Sequence, residues 1–86
     1  MKYQTRFTVE AQTELRNIDR KTALKILHKL AELEQDPTGF DTIPVVTRPG
    51  HRRLRVGDYR VIYRIEQGEL VVMVVRVGHR ANVYND

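Results

Sequence analysis

Cysteine is absent from this 86-residue chain, which excludes a disulfide framework, a thiolate metal site and a cysteine nucleophile. Stability must come from packing. A chain this short forms one domain with a single modest core, burying about 60% of the surface its unfolded form exposes. Long apolar runs are missing as well. The longest spans residues 70–75, far short of the roughly 20 residues of a membrane-crossing helix, and the first ten residues hold no secretory signal core. The expected location is therefore cytoplasmic, with no membrane partner. Proline is confined to Pro37, Pro44 and Pro49, and lysine stops at Lys29.

What is present is arginine, unevenly placed. The formal net charge is +4, yet residues 8–36 carry five basic against six acidic side chains. Residues 48–80 hold eight arginines against Asp58, Glu66 and Glu69. A guanidinium offers a planar fork of donors matched to phosphate and a face that stacks on bases, so this half suits an anionic partner.

Hydrophobic periodicity supplies the frame. Residues 2–7 alternate weakly and read as a short strand. Thr8 is a plausible N-cap, Glu10 favours the first helical turn, and Ala11, Leu15 and Ile18 share one helical face. Asp19 can cap a second helix that begins at Arg20 and ends before Asp36-Pro37, with a broad stripe from Ala23 to Leu33. The proline-bearing stretch 37–50 is a connection with one short extended piece around residues 43–47. Three period-two runs follow, at 51–56, 59–66 and 69–77. Gly57-Asp58 suits a type II′ turn and Gln67-Gly68 a type I′-like turn, which makes the runs an antiparallel meander. The fold class is α+β, in the order β-α-α-β-β-β, with an antiparallel sheet and two helices packed on one face.

In the middle run Tyr59, Val61, Tyr63 and Ile65 share the face that should meet the helices, leaving Arg60, Ile62 and Arg64 on the other. In the last run Val71, Met73, Val75 and Val77 alternate with Leu70, Val72, Val74 and Arg76, and both sets are largely apolar. Arg53, Arg55, Arg60, Arg64 and Arg76 then converge on the face away from the helices, with Arg80 just beyond. Like charges on neighbouring strands repel, so such a face is a poor default for a solvated surface.

The stretch from Leu54 to Tyr63 (LRVGDYRVIY), followed by Val77-Gly78-His79-Arg80 and then Tyr84, resembles the RelE/ParE superfamily of bacterial toxins from type II toxin–antitoxin modules, and within it the RelE branch. The resemblance covers essentially the whole chain, as a single RelE-like domain over residues 1–86. It implies a metal-independent, cofactor-free endoribonuclease that cuts messenger RNA in the ribosomal A site, by attack of the ribose 2′-hydroxyl on its own phosphodiester. It also implies inhibition by a cognate acidic, RelB-like antitoxin, with operator DNA met only through the antitoxin complex.

Carried over by position, the resemblance makes Arg60 and Arg80 catalytic arginines and Tyr84 the aromatic that stacks on a base. Two basic positions of the family pattern, commonly lysines, fall on His51 and Arg53. Arginine clamps phosphate well and is a poor base, whereas histidine suits proton transfer. The expectation is therefore that His51 or His79 supplies acid–base function while Arg53, Arg60 and Arg80 neutralise the phosphate. Arg48, Arg52 and Arg55 are expected to hold RNA through phosphate contacts. Arg64 and Arg76 are expected to line the groove, with an Arg76–Glu66 cross-strand pair as the other reading of Arg76. His28, among Lys25, Lys29 and Glu32, reads as a solvated helix residue. The competing function is a ParE-like toxin that poisons DNA gyrase without nuclease activity of its own.

Overall fold

The computed structural model describes residues 2–39 and 41–83. The chain runs through strand β1 (Gln4–Phe7), helices α1 (Val9–Arg16) and α2 (Arg20–Leu33), and strands β2 (Thr42–Pro44), β3 (His51–Val56), β4 (Tyr59–Glu66) and β5 (Val71–His79). It continues into a one-turn helix, α3 (Arg80–Val83). Both long helices start where a side-chain oxygen can take an orphan amide. Thr8 accepts from the Ala11 N–H at 3.1 Å and Asp19 from the Thr22 N–H at 3.1 Å.

The five strands form one sheet in the order β1-β5-β4-β3-β2. β2 through β5 pair antiparallel, as alternation and the short turns imply, and β1 pairs parallel with β5. Ala11, Ile26, Leu30 and Leu33 bury against Leu54, Val56, Val61, Tyr63, Val72, Val74 and Val77 on one face of the sheet. Tyr63 is wholly buried there and its hydroxyl donates to the Pro37 carbonyl. Burial pushes the phenol's pKa up, which keeps it a donor.

Three expectations are corrected. The turn after β4 runs over residues 67–70, with the Glu69 and Leu70 N–H groups bonded to the Glu66 and Gln67 carbonyls and Leu70 at φ 55°. It is therefore a four-residue connection rather than a two-residue one. The β4–β5 register also slips between Ile62 and Tyr63, so that Tyr63 faces Val74 while Ile62 faces Arg76. Val75 is the extra residue of this bulge, which puts Val72 and Val74 with the helices and keeps Arg76 on the opposite face. Thirdly, α3 extends the expected order and packs on β4 and β5.

At β5 the sheet rim changes hands. β1 ends at Phe7, opposite Val74. From there Thr8 bonds the Val74 and Val75 carbonyls, and a Glu14 carboxylate oxygen takes the Val77 N–H at 2.7 Å. A helix thus closes the exposed edge.

Candidate nucleic-acid interface

The register of β3, β4 and β5 builds the open face row by row. Arg55 stands opposite Arg60, which stands opposite Gly78; Arg53, Ile62 and Arg76 form the next row, and His51, Arg64 and Met73 the one after. Arg53 and Arg60 are diagonal neighbours on adjacent strands, at a Cα separation of about 7–8 Å. Ile62 is fully buried between two arginine positions, consistent with long basic side chains laying their stems over an apolar floor.

Arg60 is held in place by backbone carbonyls. Its Nη1 donates to the Gly57 carbonyl at 2.9 Å and to the Tyr59 carbonyl at 3.0 Å. Gly57 turns the chain at φ 59°, a conformation that L side chains rarely adopt. Burial pushes the Arg60 pKa down, and the charges of Arg53, Arg55 and Arg80 push it further, while Asp58 opposes them. These four arginines therefore feel one another. Arginine stays ionised throughout, so an anion held among them would relieve the repulsion, roughly 1 kcal/mol for a pair at about 5 Å in water-like surroundings.

α3 sits on this same face. A Cβ on Gly78 would lie 3.1 Å from Val83 Cγ1, so glycine is what lets the helix seat on the sheet. The Arg80 N–H bonds the Asp58 carbonyl at 2.8 Å, which ties the exposed Arg80 to the β3–β4 turn beside Arg60.

The remaining candidates divide. His51 lies on the open face with Nδ1 3.3 Å from the Pro49 carbonyl; donation from Nδ1–H leaves Nε2 as the acceptor. Arg55 meets Asp41 at 3.5 Å, and Arg64 meets Glu66 of its own strand at 2.8 Å. Arg76 pairs with Glu14 at 3.0 Å and Glu10 at 3.7 Å, both on α1, rather than with Glu66. Arg52 faces the helix side, opposite Tyr63, and donates to the Thr42 hydroxyl at 3.0 Å. Arg48 occupies the loop before β3, where the His51 N–H bonds its carbonyl. His79 is Tyr59's cross-strand partner on the helix side, so the sheet separates its ring from Arg53 and Arg60. Tyr84 lies outside the described residues.

Behind this face, α2 leaves Leu24 and Leu27 exposed. Leu24, Lys25, His28, Asp41, Val56 and Tyr59 help to line an open groove of about 910 Å³. His28 is exposed, 3.7 Å from Glu32, as a solvated helix residue should be. The sequence reading missed the seat of α3 and the Glu14 clasp. Gly78 directly before His79-Arg80 was the one visible sign of the first, and nothing marked the second.

On this five-stranded sheet, with two helices behind it and an arginine cluster in front, residues 5–84 match the family model of the ParE toxin of the type II toxin–antitoxin system, parDE. The chain belongs to that family, within the RelE/ParE superfamily, and sits with its RelE branch. It is 32% identical to Toxin RelG of Mycobacterium tuberculosis over 98% of both chains. Among solved structures it resembles a RelBE toxin–antitoxin complex from Mycobacterium tuberculosis, with a TM-score of 0.81 and 28% identity over 93% of this chain and 100% of that one. A variant of E. coli toxin RelE in the free state shares the fold at a TM-score of 0.83 and 22% identity, over 99% of this chain and 90% of that one.

Proposed function

We propose that this type II toxin is a ribosome-dependent messenger-RNA endonuclease. The observation that supports it most is the grouping of Arg53, Arg55 and Arg60 on adjacent strands of one sheet face, with Arg80 tied to the turn beside Arg60 and the Arg60 guanidinium fixed by two carbonyls. Phosphodiester cleavage needs such donors where negative charge gathers on the phosphorane. The ribose 2′-oxygen attacks phosphorus, the bond to the 5′-oxygen breaks, and a 2′,3′-cyclic phosphate and a free 5′-hydroxyl result. His51, with Nε2 available on the same face, takes the 2′ proton, and the leaving 5′-oxygen takes a proton from solvent water. Arg53, Arg60 and Arg80 hold the phosphate, Arg48, Arg55 and Arg64 extend the phosphate track, and Tyr84 stacks on a base. Arg52 and Arg76, each engaged elsewhere in the fold, have no part in it.

The cytoplasm is where such a protein would act, and an acidic, RelB-like antitoxin would restrain it. The exposed Leu24 and Leu27 beside Lys25 suit a chain that is both apolar and acidic. Operator DNA would be reached through that antitoxin.

Primer extension on a message programmed into ribosomes tests the reading: wild type should cut at the A-site codon and Arg80→Ala should not. The ParE name of the matching family model favours a second reading, a gyrase poison. Growth arrest with stalled gyrase–DNA complexes and uncut message would establish it instead.

A further inference from the structure

We propose that His79 is a positioning residue, a neutral imidazole that caps α3 and thereby fixes Arg80 beside Arg60. The inference rests on reading the arginine face as an RNA-cleaving site. The Ala81 N–H donates to His79 Nδ1 at 3.2 Å. A donor there requires a lone pair on Nδ1, so the ring proton sits on Nε2. His79 immediately precedes α3 and Ala81 is the second helical residue, which is the geometry of an N-cap.

One helical turn cannot hold itself together in water, so α3 depends on its anchors. At its start are the His79 cap and the bond from the Arg80 N–H to the Asp58 carbonyl; at its end Val83 packs on Gly78. The ring itself is steadied by Tyr59, edge to face at 5.6 Å between centroids and 79° between planes. Both the occupied Nδ1 and the intervening sheet argue against His79 exchanging protons with a substrate held by Arg53 and Arg60.

Two variants and one spectrum decide the matter. Asparagine can offer Oδ1 to the amide two residues on, so His79→Asn keeps the cap, whereas His79→Leu removes it. In His79→Leu, kcat for A-site cutting should fall roughly fivefold to tenfold with little change in KM, and the Ala81 amide should lose protection from hydrogen exchange. His79→Asn should restore both, and in an Arg80→Ala background His79→Leu should add little. Nitrogen NMR of the wild-type ring should show a pyridine-like Nδ1 and a pyrrole-like Nε2. An Nδ1–H tautomer, or an asparagine variant as impaired as the leucine variant, overturns the proposal. Wild-type protein that fails to cut overturns the nuclease reading alone, because the tautomer and the Ala81 amide still decide the cap.

Discussion

The two faces of the sheet are made from alternate residues of the same strands and have opposite economies. Behind β3 and β4 lie Leu54, Val56, Val61 and Tyr63, sealed by α1 and α2 and hydrogen-bonded only where a polar atom demands it. In front stand Arg53, Arg55, Arg60 and Arg64 around one buried isoleucine. The covered face stabilises the fold; the open one holds like charges together at some expense to it. Concentrating charge where packing does not require it is what a site for an anion looks like.

Substitutions on the two faces should separate these roles. Ile26→Ala, on the covered side, should cost about 2–5 kcal/mol of folding stability, read as a lower urea midpoint at unchanged slope. Arg80→Ala should lower A-site cutting about 100-fold while the urea midpoint hardly moves, since exposed positions tolerate change. A large stability loss from Arg80→Ala would erase the distinction between the faces. Glu14→Ala, at the boundary, strips partners from both Arg76 and the Val77 N–H and should cost about 1–3 kcal/mol, with faster amide exchange at Val77. Smallest is the effect of pH on the α2 cap. Hydrogen bonds from Thr22 hold the Asp19 carboxyl below its ordinary 3.8. A depressed folded value means stability that is complete above about pH 4 and is lost as pH falls through the lower folded pKa. Acid titration of unfolding should show wild type and Asp19→Asn running parallel above that window, with wild type losing stability relative to Asp19→Asn as pH falls through it.

Much of this division was legible in the sequence, for a physical reason. Where polar and apolar residues alternate, as in Tyr59–Glu66, a strand declares which side is buried. Asp19 and Thr8 likewise marked both helix starts. The last strand declared nothing, because residues 70–75 are apolar at every position and a one-residue bulge leaves no trace in such a run. That bulge decides that Gly78 faces the arginines and His79 does not. The partners of Arg52 and Arg76 were hidden for another reason: a long side chain can turn to Thr42, or over the rim to Glu14, and sequence spacing does not record which. The arginine cluster was legible, but its attachment to a helix through His79 and Gly78 was not.

The Glu14 clasp has a counterpart at β1. The outward Thr5 N–H is taken by the Glu34 carboxylate at 3.0 Å, and the Tyr3 N–H by the Glu34 carbonyl at 2.8 Å. Successive stretches of one rim, first β1 and then the end of β5, thus offer their outward donors to glutamates already in place. A stray extended segment meets there a row of occupied amides and negative charge, a poor template for strand addition. A small, strand-rich chain is in this way guarded against cross-β stacking with its own kind, by two acidic side chains in a protein whose net charge is basic.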